Sequence, residues 1–153
     1  MNATPVSSRT RLVEAAVSII RAKGYEATTV DELCAAAGVT KGAFFHHFKS
    51  KEDVGIAAAD SFGAMADFMF GDMDYMRRPD PLQRLLGYID FRTAIIGGNI
   101  PDYTCLLGTM VQETYDTSPA IRKACEQSIY GHAETLQADI EAAMRDRHIN
   151  ADW

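Results

Sequence analysis

A run of polar and small residues in the N-terminal third of the chain has the composition of a surface that binds nucleic acid. Thr40, Lys41 and His46 carry hydrogen-bond donors, and Gly42 and Ala43 lie among them. Donors beside small side chains allow close approach to base-pair edges and phosphates. These residue types are what contact with double-stranded DNA requires, provided that a helix presents them together on its surface.

The histidines and cysteines elsewhere lack the spacing that a metal site or a nucleophile needs. No Glu-x-x-His pair occurs, and His132 has no carboxylate or second histidine three or four residues away. There is no Gly-x-Ser-x-Gly elbow, and neither Cys105 nor Cys125 has an evident base in the sequence. We therefore predict no metal, no cofactor and no enzymatic activity.

Cysteine usage and hydropathy bear on the compartment. Cys34, Cys105 and Cys125 are odd in number and widely spaced, which gives no disulfide framework and favours a reducing cytoplasm. No stretch approaches the 18 apolar residues of a membrane span, and the N-terminus lacks a signal-peptide core. The prediction is a cytoplasmic protein without a membrane partner, in which Cys34 is a small buried apolar residue rather than a redox sensor.

The 153 residues carry a formal net charge of -6, which taken alone argues against a nucleic-acid partner. The charge is divided unevenly, because residues 1–51 sum to +3 and residues 52–153 to -9. Such asymmetry between segments is a hint that one part meets a polyanion, although an excess of +3 is equally common on a solvated helix face. The basic segment is also the one that contains the predicted DNA-binding run.

The elements that position this run are predicted to be helices. Apolar residues at helical spacing, with capping residues and Gly or Pro stops, predict helices at about 8–23, 30–37, 41–48, 51–76, 82–96, 103–115 and 119–147. No alternating segment flanked by hairpin turn residues is present. The chain is therefore predicted to be all-α, with about seven helices.

The second and third helices have the spacing of a helix-turn-helix. Gly38 provides the sharp turn, and Thr40 caps the helix that would enter the major groove. The inward-facing residues predicted to form a three-helix core are Leu12, Ile19, Ile20, Leu33, Phe44 and Phe48.

The run GYEATTVDELCAAAGVTKGAFFHHFKSKEDV, residues 24–54, resembles the DNA-binding region of the TetR/AcrR family of bacterial transcriptional regulators, and the similarity covers about residues 6–66. The resemblance implies a homodimeric repressor that binds a palindromic operator and is released by a small-molecule effector. It also implies a helix-turn-helix DNA-binding domain at 6–50 and a C-terminal helical ligand-binding and dimerisation domain at 51–153.

The resemblance assigns roles to particular residues. Base contacts are implied for Thr40, Lys41, Gly42 and Ala43, and phosphate contacts for Thr28, Thr29, Phe45, His46 and Lys51. The family usually has tyrosine at one or both of the positions held here by Phe45 and His46. Because protonated His46 would attract phosphate, operator affinity is expected to rise as pH falls.

The C-terminal part offers candidates for the effector site. Met65, Met69, Met73 and Met76 form a stripe that belongs either to the core or to an adaptable pocket wall. The candidate ligand-binding residues, divided between those two interpretations, are Met69, Met73, Phe91, Ile95, Cys105, Met110 and Tyr130.

Two expectations concern regulation and assembly. A helix-turn-helix protein regulated by a partner protein, without a small-molecule ligand, is the alternative function. Family members usually continue for two further helices that pair in the dimer. This sequence is expected to lack these two helices, and the expectation of a homodimer is therefore left open.

Overall fold

The structure, a computed structural model, describes residues 6–150, and all of their regular secondary structure is helical. The helices are α1 (Ser8–Lys23), α2 (Val30–Ala37), α3 (Lys41–His47), α4 (Lys51–Gly71), a 3₁₀ turn (Asp74–Arg77), α5 (Pro81–Ala94), α6 (Ile100–Tyr103), α7 (Leu106–Thr114) and α8 (Pro119–Asp146). The predicted all-α class is confirmed. Helices α1–α3 form the head of the molecule, and α4–α8 form its body.

The head follows the predicted boundaries to within one residue. Each of its helices begins at a hydroxyl cap, and at α2 the Thr29 and Glu32 side chains form a reciprocal capping box. Gly38 has φ of 62°, in the left-handed region that favours glycine, and so lets the chain turn sharply between α2 and α3. Local capping and turn chemistry therefore determine the helix-turn-helix.

The long helix predicted over residues 51–76 is interrupted. α4 ends at Gly71, Met73 is extended, and the 3₁₀ turn follows. The turn carries Tyr75 into a buried position, with ring centroids 6.3 Å from Tyr88 and 6.2 Å from Phe91. The methionine spacing continues across the break, so periodicity alone predicts an unbroken helix.

The helix predicted to begin at residue 103 begins at Leu106 as α7, and it is preceded by the short helix α6, which the sequence did not predict. Extended backbone at Thr104 and Cys105 separates the two helices. Arg21 of α1 donates from Nε to the carbonyl oxygen of Thr104 at 2.9 Å and from Nη2 to that of Asp102 at 2.7 Å. In a continuous helix these carbonyls would accept from backbone amides further along the chain. The contact with α1 therefore favours the break.

One buried apolar core runs through the head and the body. From the head it includes Leu12, Ala16, Ile20, Leu33 and Phe44, and from the body Val54, Ala58, Leu106, Met110, Ile121 and Cys125. The core is not divided at residue 50, where the sequence places the domain boundary.

The outer body is held by α8, which packs against α4, α5 and α7. Arg84 of α5 donates to Asp139 of α8 at 2.5 Å, and Arg147 contacts Asp80 at 3.0 Å. Between α4, α5 and α8 lies an aromatic cluster made of Phe70, Tyr75, Tyr88, Phe91 and His132. Within residues 6–150, no helix combines the length and apolar character needed to cross a membrane.

Candidate nucleic-acid interface

The outward side of α3 and its cap carry an exposed group of predicted DNA-binding residues. They are Thr40, Lys41, Gly42, Phe45 and His46, and Ala43 beside them is half-buried. The opposite side of α3 is anchored by Phe44 and Phe48, which are 0% and 4% exposed. Because that anchor belongs to the core, the exposed residues are presented on a rigid element.

The surface of α3 is shallow at Gly42. A Cβ at this position would meet only the Thr40 hydroxyl, at 3.7 Å, which is ordinary contact. Packing among the described residues therefore gives no reason for glycine here. Its effect is to leave room for close approach from outside.

Lys41 is paired with an acid of the neighbouring helix. Its Nζ lies 2.7 Å from Oδ1 of Asp31 in α2, and both side chains are largely exposed. The hydrogen bond to Asp31, reinforced by the charge of that carboxylate, raises the pKa of Lys41. Lys41 is thus a fixed positive charge at the start of α3.

Thr28 is a correction to the predicted phosphate contacts. It is 1% exposed, its hydroxyl donates to the Gly24 carbonyl at 2.6 Å, and its amide donates to the Tyr25 carbonyl at 3.0 Å. Neither donor is free to reach a phosphate in this conformation, so Thr28 stabilises the turn before α2.

Thr29 is exposed, but its donors are engaged within the head. Its amide and hydroxyl both donate to Oε2 of Glu32, at 2.9 and 2.8 Å. Lys23 lies 2.5 Å from the other carboxylate oxygen. The Lys23 hydrogen bond and those from Thr29 lower the pKa of Glu32 to about 2. A phosphate at Thr29 would have to displace this carboxylate.

Lys51 is also engaged inside the protein. Its ammonium donates to the carbonyl oxygens of Tyr25 and Glu26 at 3.1 and 3.3 Å, and lies 4.4 Å from the centroid of the Tyr25 ring. The side chain thereby ties the first turn of α4 to the loop after α1. Its predicted phosphate contact stays a prediction, and its observed role is to hold the head on α4.

The candidate ligand-binding residues do not line one cavity. Of the two interpretations, core or pocket wall, Met110 fits the core, because it is 0% exposed and packs among the shared buried residues. Phe91 belongs to the aromatic cluster, and Met69 and Met73 border an open surface groove of about 560 Å³. The others, Ile95, Cys105 and Tyr130, lie on exposed surface.

The structure shows a different cavity in the body, which we name the His132 groove. It has a volume of about 430 Å³ and lies between the end of α4 and the middle of α8. Its apolar wall includes Phe70 and Met76, and its polar groups come from Asp67, Gln127, Ser128, His132 and Thr135.

His132 is held in this groove by Tyr88, whose hydroxyl lies 2.9 Å from Nε2. Burial and the nearby Arg92 charge lower the pKa of His132, against an opposing effect of Asp67. The imidazole is therefore neutral at physiological pH, when it has one donor and one acceptor. Sequence reasoning missed this pair because 44 residues separate its members.

The buried thiols are unsuited to chemistry. Burial raises the pKa of Cys34, and raises that of Cys125 to about 11. Both are therefore protonated, poorly nucleophilic packing residues at neutral pH. Over residues 6–150, the His, Cys, Asp and Glu side chains form no group of three that could hold a metal ion.

The three-helix head contains a helix-turn-helix and shares its buried core with the helical body. This is the architecture of helix-turn-helix proteins that carry an attached helical domain. Residues 12–58 match the family model described as bacterial regulatory proteins, tetR family. The repressor DhaR of Mycobacterium sp. strain GP1 is 30% identical over 122 residues, which are 80% of this chain and 59% of DhaR. The chain belongs to the TetR/AcrR family.

Solved structures show the same fold. A TetR-family regulator from Agrobacterium tumefaciens superposes with a TM-score of 0.79 at 17% identity, over 91% of this chain and 72% of that one. FadR of Bacillus subtilis, in complex with stearoyl-CoA, gives 0.70 at 19% identity, over 94% of this chain and 74% of FadR. The named relatives are regulators, which agrees with the prediction that the chain is not an enzyme.

The match to curated relatives is partial. Across three of them the aligned region spans 19% to 59% of the relative's length.

Proposed function

We propose that this protein is a transcriptional repressor that binds double-stranded operator DNA through α3. The observation that carries the proposal is the exposed face of Thr40, Lys41, Gly42, Phe45 and His46 on a helix anchored by the core. A recognition helix in this setting can lie in the major groove while flanking groups contact phosphates. The family membership supports this interpretation.

Selection of bound sequences from a random DNA pool tests the proposal. Enrichment of a palindrome would support a homodimer, because two-fold protein symmetry is mirrored in the operator. Recovery of no preferred sequence, with wild-type binding insensitive to salt, would contradict DNA recognition.

Lys41→Ala tests the assignment of the surface. The variant is expected to bind the selected duplex about tenfold or more weakly, the loss typical of one specific side-chain contact. Lys123→Ala is the matched control, because Lys123 is an exposed lysine on α8. Equal losses in the two variants would assign the effect to net charge rather than to α3.

The proposed effector site is the His132 groove. The groove combines an aromatic wall with a neutral imidazole, which fits a small molecule that has an apolar body and one hydrogen-bonding group. It lies against α4, which connects the body to the head. The FadR complex with stearoyl-CoA supports the capacity of this fold to hold a ligand.

A thermal-shift screen of small apolar compounds tests this site, because a ligand that binds only the native state raises the melting temperature. A hit is expected to lose its shift in His132→Phe, which keeps an aromatic ring but removes both nitrogens. Tyr130→Phe is the control on the same helix, since Tyr130 is 61% exposed and lies outside the groove. An unchanged shift in His132→Phe would exclude the groove.

A further inference from the structure

Lys41 occupies a position that is unfavourable for the helix that carries it. It is the first residue of α3, directly after the Thr40 cap, and α3 has no acidic residue in its first turn. The helix N-terminus has a partial positive charge, so a lysine there is repelled rather than stabilised. The stability of α3 therefore does not explain why this residue is a lysine.

Asp31 of the neighbouring helix α2 offsets the repulsion between Lys41 and the N-terminus of α3. It lies in the first turn of α2, where an acid is favoured by the helix dipole, and its carboxylate reaches Lys41 at 2.7 Å. The side chains of Lys41 and Asp31 are 63% and 68% exposed. The pair is therefore open to solvent and to exchange with another anion.

A phosphate oxygen and a carboxylate oxygen both accept a charge-assisted hydrogen bond from a lysine ammonium. At 2.7 Å the Asp31 carboxylate and the Lys41 ammonium form an ion pair. A phosphate that takes the place of this carboxylate at Lys41 must break the ion pair with Asp31.

From this geometry we infer that Asp31 competes with DNA for Lys41 and so limits the DNA affinity of the head. The inference rests on the proposed DNA binding. An exposed ion pair is weak, so the expected effect of removing the competitor is about a two- to fivefold tightening.

The experiment measures fluorescence anisotropy of the selected duplex, at one fixed salt concentration, with the full chain. Asp31→Asn is expected to bind about two- to fivefold more tightly than wild type. In a Lys41→Ala background the same substitution is expected to have no effect, because the residue for which Asp31 competes is absent. Glu134→Gln, which removes an exposed acid of α8, is the charge-matched control and is expected to leave binding unchanged.

Two results would overturn the inference. One is an Asp31→Asn variant that melts like wild type but binds equally or more weakly. The other is a tightening that persists in the Lys41→Ala background, since it would arise from direct repulsion between Asp31 and DNA. Should Asp31→Asn fail to fold, Asp31→Ser provides the same comparison with a residue suited to a helix start.

Failure of the proposed function would look different. Selection would then recover no preferred sequence, and wild-type binding to duplex DNA would be insensitive to salt. Failure of the inference alone would leave wild-type binding intact and Asp31 without influence on it.

Discussion

At the scale of single residues, the three cysteines differ in their access to water. Cys105 is exposed, whereas Cys34 and Cys125 are 6% and 0% exposed with raised pKa values. We expect a thiol reagent to modify only Cys105 in the native protein and all three thiols after unfolding. Mass spectrometry of the labelled protein measures this directly. Native Cys105→Ser should stay unlabelled, and rapid labelling of a second thiol would contradict the buried positions.

Glu32, the acid of the capping box of α2, makes a pH-dependent contribution to the stability of the fold. Hydrogen bonds from Lys23 and Thr29 lower the pKa of Glu32 from its ordinary 4.5 to about 2 in the folded protein. A lowered folded pKa stabilises the protein above the unfolded pKa, and this stabilisation is lost as pH falls toward the folded value.

We therefore expect wild type to be more stable than Glu32→Gln at neutral pH, with the difference shrinking between about pH 5 and pH 2. Urea midpoints of both proteins across this range provide the measurement. A difference that stays constant down to pH 2 would show that the carboxylate charge is not responsible.

Residue types predicted the exposed face of α3 because exposure there follows from local helical spacing around Phe44. They did not predict that the donors of Thr29 and Lys51 already form hydrogen bonds within the protein. The partners of Lys51 are backbone carbonyls 25 and 26 residues away in sequence, and no side-chain pattern marks them. Spacing likewise left Met110 divided between core and pocket wall, since it identifies an apolar face but not what covers that face.

At the scale of elements, the packing of α5 depends on the absence of a side chain at Gly87. A Cβ there would overlap with Cβ of Tyr75, an atom fixed close to the backbone of the 3₁₀ turn. Gly87→Ala is therefore expected to destabilise the fold by about 1–3 kcal/mol.

Gly131→Ala is the matched comparison for that variant. Gly131 lies within α8, and its Cβ would meet no atom within 4 Å. This substitution is expected to stabilise the protein by about 0.5–1 kcal/mol through helix propensity. Chemical denaturation of both variants measures the two effects, and equal signs would contradict the packing described between α5 and the turn.

Helix boundaries in the head were predictable because the determinants are local: Thr29, Gly38 and Thr40 act within a few residues of the ends that they define. The break after Gly71 and the extended backbone at Thr104 and Cys105 could not be predicted from local residues. Each is favoured by a contact with a distant segment, Tyr75 with α5 and Arg21 with the backbone of Thr104, which is 83 residues away. Tertiary contacts override periodicity at these two places.

At the scale of the whole molecule, the shared core predicts that the head and the body lose structure together. Met110 of α7 is 0% exposed in the core that also contains head residues. We expect Met110→Ala to lower the free energy of unfolding by about 2–5 kcal/mol. Amide hydrogen exchange should then accelerate in α1–α3 as much as in α7.

Met76→Ala is the control for this experiment, because Met76 is 46% exposed and lies outside the core. Its effect is expected to stay within about 0.5 kcal/mol. Faster exchange confined to the body of Met110→Ala would mean that the two parts unfold independently.

The shared core also determines where the protein is free to diverge. Met110 and Ile121 belong to the same buried core as Leu33 and Phe44 of the head, so a substitution at either position would disturb the head and the body together. The exposed groups at the rim of the His132 groove, Asp67, Gln127 and Thr135, lie outside the core. Under the proposed function, exchange of these rim residues would change the ligand preference of the body while leaving the exposed face of α3 unaltered.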